Sequence, residues 1–160
     1  MTSRYGLGKD PERMTLEAIG KKYNITRERV RQIENHAILT IRKSKEYTKE
    51  KKAFDELEAI VHDLGGVITE EDLLNHITKD KTVHNHLNLL FILGEAFKKN
   101  KEDEHFKHRW YIDEELSDKV HESLHKLYNS LSDDDLISEQ DIISSFTEHI
   151  KEVSDEYKKE

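Results

Sequence analysis

The sequence predicts a mostly α-helical protein. A helix-turn-helix comes first, then three helices closed by a small β-hairpin, then a C-terminal helical pair. Three observations carry this. Apolar residues recur at spacings of three and four through Thr15–Ser44, Ala53–Leu93 and Leu116–Ile150. Thr and Ser stand where such stretches begin, as helix caps do. A single run, His105–Ile112 (HFKHRWYI), alternates with a period of two, the signature of a strand.

Residues 1–14 are polar, contain Gly6, Gly8 and the only proline, Pro11, and read as a loop. Thr15 caps a short helix with Leu16, Ala18 and Ile19 on its buried side. Asn24-Ile25-Thr26 breaks the pattern, and Thr26 caps a second helix expected to run to about Ser44. Val30, Ile33, Ala37 and Ile41 form its apolar stripe; Arg27, Glu28, Arg31, Gln32 and His36 occupy the other faces. Two helices joined by a tight turn, the second one basic, suit the DNA major groove. Arg can bond a guanine edge with two donors, Gln can do so for adenine, and Glu can accept from cytosine. Arg27, Glu28, Arg31 and Gln32 lie in the first two turns, where such a helix meets base edges.

The residues RYGL at Arg4–Leu7, TLEAIGKKYNITRERVRQIE at Thr15–Glu34 and Ala37–Ser44 resemble region 4 of primary bacterial sigma factors, and the TRERVRQIE run is highly specific. The resemblance covers about the first quarter of the chain. It implies a helix that reads the −35 promoter element and a domain that docks on the flap of the RNA polymerase β subunit. It places Arg27, Glu28 and Gln32 at base-contacting positions and Arg29 and Arg31 near the phosphate backbone. His36 stands where those sigma factors usually carry Lys or Arg, and is expected to add a weaker or pH-dependent base contact. Thr15, Lys21, Lys22, Thr26 and Arg29 are the expected phosphate contacts. Most of the helix that RYGL ends in that family is absent here, so part of this module's core is left open or filled by downstream residues.

Arg42–Lys52 (RKSKEYTKEKK) is strongly basic, and residues 47–52 are expected to continue the helix or to form a linker. Phe54, Leu57, Ile60, Val61 and Leu64 mark an amphipathic helix ended by Gly65-Gly66. Val67-Ile68 suits a short extended segment, and Thr69 caps a helix with Leu73, Leu74 and Ile77 inward. A third helix spans about Thr82–Leu93. In the alternating run, Phe106, His108, Trp110 and Ile112 are expected on one side, and Lys107, Arg109 and Tyr111 on the other. Three helices and a hairpin make a winged helix over 53–115. Its Gly-Gly-apolar-apolar-Thr-Glu-Glu-Asp-Leu-Leu spacing and aromatic wing resemble the HARE-HTH type, including the N-terminal domain of the bacterial polymerase delta subunit. Its would-be reading helix, TVHNHLNLLFILG, carries His84, Asn85, His86 and Asn88 but no Lys or Arg, which favours a protein-binding or structural role. Lys98, Lys99, Lys107 and Arg109 leave a backbone contact open on the wing.

Residues 116–160 resemble the start of a second copy: Leu136–Ile143 aligns with Val67–Leu74, and Ser138 caps the helix that follows. With no further helix or wing, its apolar stripe is expected to pack on the middle unit or pair with a second chain as a homodimer. The domain reading is therefore 1–46, a basic linker 47–52, 53–115 and 116–160.

Charge divides the chain the same way. Residues 1–52 hold 14 Lys and Arg against 7 Asp and Glu, and residues 53–160 hold 12 against 27, together giving the net −8. A module that attracts phosphates is joined to one that repels them. The absence of Cys excludes disulfides and thiolate chemistry. Ten His are present, but no HExxH and no phosphate-cradling Gly loop, so neither metal, cofactor nor enzymatic activity is expected. No apolar run approaches the roughly 20 residues of a membrane span. The expectation is a cytoplasmic, nucleoid-associated transcription protein whose partners are double-stranded promoter DNA and RNA polymerase. It is either a fragment of a divergent sigma factor or a stand-alone regulator. The alternative is a polymerase adaptor acting through its acidic part.

Overall fold

The computed structural model describes residues 1–8, 11–104, 106–131 and 137–149, the last three without side chains. His105, Leu136 and Ile150 of the sequence reading lie outside the described residues. The chain is mostly helical and forms two compact units, Met1–Leu57 with Glu71–Phe97, and Glu58–Glu70 with Lys98–Glu160.

The first unit holds α1 (Thr2–Tyr5), α2 (Leu16–Tyr23), α3 (Arg27–Arg42), α4 (Lys45–Lys49), the start of α5 (Lys51–Asp63), all but the first residue of α6 (Glu70–Ile77), and α7 (Lys81–Leu93). Thr15 and Thr26 cap α2 and α3: their hydroxyl oxygens accept from the Ala18 and Arg29 N–H groups, both at 3.1 Å. The turn between them depends on two residues. Asn24 takes the left-handed conformation (φ 53°). Gly20 is buried, and a Cβ there would lie 2.7 Å from the Ile25 carbonyl oxygen. The second helix stops at Arg42, two residues before the expected end, and Ser44 caps a new helix by accepting from Tyr47 N–H at 3.2 Å. The basic stretch 47–52 is thus helical but for Glu50, in α4 and the start of α5.

Helix α7 belongs to this unit. Its last carbonyls lack intrahelical partners, and a cation supplies them. Arg42 donates to Ile92 O and Leu93 O, each at 2.9 Å, and the Tyr47 hydroxyl donates to Leu93 O at 3.0 Å. Leu73 and Phe91 are fully buried, and Phe97 meets Phe91 edge-on at 4.9 Å.

In the second unit, α5 ends at Gly65 and Gly66, both with positive φ. Strands β1 (Val67–Thr69), β2 (Lys98–Asn100) and β3 (Arg109–Tyr111) form an antiparallel sheet in the order β1-β3-β2. Trp110 pairs with Ile68 on one side and Lys99 on the other, and the Glu70 carboxylate takes both Trp110 Nε1 and Lys99. Helix α8 (Glu114–Ser130) follows, then α9 (Glu139–His149), capped by Ser138, which accepts from Asp141 N–H at 3.2 Å. One expectation is corrected here. Arg109, one of the four cations expected to leave a backbone contact open on the wing, is 6 % exposed, and Trp110 is 2 % exposed. His121 of α8 bonds Arg109, so both faces of β3 are covered. Tyr128, Leu131, Ile137, Ile142 and Ile143 remain exposed.

Candidate nucleic-acid interface

Helical periodicity sorts the surface of α3. Val30 is buried, with Ala37 and Ile41 half-buried on the same stripe. Opposite it stand Glu28, Gln32 and Asn35, at spacings of four and three, all exposed. Arg27 and Arg31 flank this row on one side, Arg29 and His36 on the other, and all four are exposed. Asn35 was not singled out from the sequence, although its spacing from Gln32 and Glu28 was the available signal.

The row is pre-arranged by bonds within the helix. Arg31 grips Glu28 with two N–H···O bonds, 2.8 Å from Nε and 2.7 Å from Nη2. Gln32 Nε2 adds a 3.4 Å bond to the same carboxylate, and Arg29 Nη1 donates to Gln32 Oε1 at 3.3 Å. These bonds, Arg31's above all, hold the Glu28 carboxyl below the usual carboxylate range. Glu28 therefore stays an acceptor at neutral pH, and Gln32 presents an oriented amide. Both partners are in water, so the ion pair is weak enough to exchange for a base edge or a phosphate.

Around the turn, Glu17, Gly20, Lys21, Asn24, Ile25, Thr26 and Arg27 line an open hollow of about 400 Å³. Lys21 reaches it while paired with Glu17 at 3.2 Å. Lys22 lies over the Tyr23 ring at 5.8 Å. The Thr15 and Thr26 hydroxyls accept from the backbone and keep an O–H to donate. The other predicted residues stand on α3 above. Thus Lys21, Thr26 and Arg27 are brought together, while Thr15 and Lys22 lie outside the lining of the hollow.

A second feature of the unit is apolar. Ile19, Tyr23, Ile25, Val30, Ile33 and Ala37, with residues of α1, line a groove of about 500 Å³. Tyr23 is 60 % and Ile33 49 % exposed. Helix α1 borders the groove and is tied to α3: Glu34 accepts from Arg4 Nε at 3.0 Å and from the Tyr5 hydroxyl at 2.7 Å. Burial and the adjacent carboxylate push the Tyr5 phenol well above its ordinary value of 10.

On α7, three polar side chains of the would-be reading helix turn to their own unit. Asn85 Nδ2 donates to Gly6 O (3.1 Å) and Pro11 O (2.8 Å), and its Oδ1 accepts from Arg13 Nε (2.6 Å). Asn88 is buried and donates to His84 O, and His84 Nε2 lies 3.0 Å from Thr78 O. Among the described residues, no three His, Cys, Asp or Glu converge as a metal site would require, and no helix is long and apolar enough to cross a membrane.

Residues 2–43 match the family model of Sigma-70, region 4. The segment is 59 % identical over 39 residues to the RNA polymerase sigma factor RpoD of Helicobacter pylori, covering 24 % of this chain and 6 % of that protein. It is 52 % identical over 40 residues to the RNA polymerase principal sigma factor HrdD of Streptomyces coelicolor, covering 25 % of this chain and 12 % of that one. The similarity thus spans only a small part of either relative. No solved structure matches the chain.

Proposed function

From the match of residues 2–43 to the family model of Sigma-70, region 4, we propose that the chain is a sigma-like DNA-binding transcription protein that reads a promoter −35-like element through α3. The observation that carries this reading is the exposed row Glu28, Gln32 and Asn35 with Arg27 and Arg31 beside it. Arg27, Glu28, Arg31 and Gln32 supply donors and acceptors to base edges, with His36 one turn beyond Gln32. Thr15, Lys21, Lys22, Thr26 and Arg29 supply donors and charge to the backbone on either side. Thr26 and Arg27, at the N-terminal end of α3, line the hollow, and a helix N-terminus favours a phosphate.

The partner protein in this reading is RNA polymerase. The apolar groove of Ile19, Tyr23 and Ile33 supports docking of an apolar helix, the β-subunit flap being the proposed one. The second reading, a polymerase adaptor, draws on the burial of Arg109 and the inward turn of Asn85 and Asn88. Both reduce what the downstream residues offer a nucleic acid. Homodimerisation through 116–160, with its exposed Ile142, Ile143 and Tyr128, and the HARE-HTH kinship of 53–115 are proposals of the same standing.

A fluorescence titration of the whole chain against a −35-like duplex and a scrambled one, at several salt concentrations, tests the reading. Preference for the −35-like duplex, with affinity falling steeply as salt rises, is expected. Equal, salt-insensitive binding to both would overturn it and leave the adaptor reading.

A further inference from the structure

In the second unit, Arg109 of β3 is 94 % removed from solvent, being 6 % exposed, and among the described residues no carboxylate is hydrogen-bonded to it. Among the described residues its Nε and Nη1 find no acceptor. Its Nη2 lies 2.9 Å from His121 Nδ1, and His121 Nε2 lies 3.1 Å from His125 Nε2. The two His stand four apart on α8 with rings 4.5 Å from centre to centre. Phe106 closes the group, edge-on to both imidazoles and 4.8 Å from the guanidinium carbon.

The proton inventory of this chain is fixed at one end. A guanidinium has only donors and does not give up its proton in a protein. His121 Nδ1 must therefore accept, which puts the His121 proton on Nε2. That N–H faces His125 Nε2, which must accept in turn and carry its own proton on Nδ1. The three groups fit together only with both imidazoles neutral. A proton added to His121 Nδ1 faces the Arg109 donor. A proton added to His125 Nε2 faces the His121 donor, and shifting that one along the chain ends again at Arg109.

We propose that Arg109, His121 and His125 form a proton-sensitive latch that holds α8 on the wing strand β3 and releases it on acidification. The surrounding charges act in the same sense. Burial first, then Arg109 and His125, push the His121 pKa below its ordinary 6.5, against the smaller opposing pull of Asp103 beside the wing and Asp118 on α8. Strand β1, packed on α8, carries no charged residue, and on α9 Asp141 is bonded to Ser138. A group neutral in the folded state and protonated near pH 6.5 when unfolded makes the unfolded chain bind more protons below that pH. Stability of this unit is therefore full above about pH 6.5 and declines as the pH falls.

The test is a pH titration of the whole chain with 15N-labelled histidine, read by long-range 1H–15N correlation. Above neutral pH, His121 is expected as the Nε2–H tautomer and His125 as the Nδ1–H tautomer, with His121 titrating below 6.5. Arg109→Met should raise that midpoint, because the pair can then share a proton. His121→Gln still accepts from Arg109 and donates to His125, and should flatten the acid-side slope of thermal stability while the fold is kept. The proposal is overturned if His121 carries its proton on Nδ1, if His121 titrates at the ordinary value, or if His121→Gln leaves the slope unchanged. The tautomers and the Gln variant decide it even where the Met variant does not fold.

Discussion

Asn85 donates to the carbonyl of Gly6, 79 positions earlier in the chain, at 3.1 Å. The helix that would face a duplex in a winged helix here ties down the loop leading into α2. Gly6 permits it: its backbone is left-handed (φ +60°), and a Cβ would lie 2.3 Å from Pro11 O and 2.6 Å from Asn85 Nδ2. Asn85→Ala removes three hydrogen bonds, each worth about 0.5–1.5 kcal/mol net. Partial exposure puts the expected loss at about 1–3 kcal/mol, read by urea denaturation of the whole chain. DNA affinity per folded molecule should be unchanged.

Glu34 is the acceptor that holds α1 against α3. Glu34→Ala leaves the Tyr5 hydroxyl and Arg4 without it, and is expected to cost about 1.5–3 kcal/mol, as for hydrogen bonds to a charged group. A pH signature accompanies it. The folded Tyr5 phenol titrates above its ordinary 10, so the stability it lends is complete below pH 10 and is lost as the pH rises beyond it. Urea midpoints taken across the alkaline range should fall above pH 10, and less steeply in Tyr5→Phe.

Much of this unit is legible in the sequence because its cues are local. Thr15 and Thr26 announce helix starts through an oxygen that reaches three residues on, and Asn24 marks the turn. What escapes a one-dimensional reading is which surface a later element covers. Alternation put Arg109 and Trp110 on opposite faces of β3, as they are, but could not show that α8 lies over the Arg109 face. The side chain of Asn85 reads as a weak base reader until Gly6 and Pro11 stand beside it. The groove along Ile19, Tyr23 and Ile33 is likewise a product of packing.

Glu28 is the one acid in the row on α3, and Arg31 is held to it. Glu28→Ala frees Arg31 and removes a negative charge from the face offered to phosphates. Affinity for a scrambled duplex at low salt should rise, and the ratio of −35-like to scrambled binding should fall, because an acceptor for cytosine is gone. Competition binding with the two duplexes measures both. A rise in discrimination would be inconsistent with the role given to Glu28.

Ile33 and Tyr23 border the apolar groove and lie away from the row Glu28, Gln32 and Asn35. Ile33→Glu should weaken capture of the chain by RNA polymerase and leave the duplex preference in place. Circular dichroism melts check that the helix-turn-helix still folds. Loss of duplex preference together with polymerase capture in a folded variant would mean the two surfaces are not separable.

The most direct measurement is the ratio of −35-like to scrambled duplex affinity for the Arg27→Ala, Gln32→Ala double variant beside the unaltered chain, at one fixed salt concentration. Each bidentate base contact discriminates by about 1–3 kcal/mol, so each lost contact should lower the ratio by roughly one to two orders of magnitude. Affinity for the scrambled duplex should change far less. An unchanged ratio in a folded double variant would contradict base reading by α3.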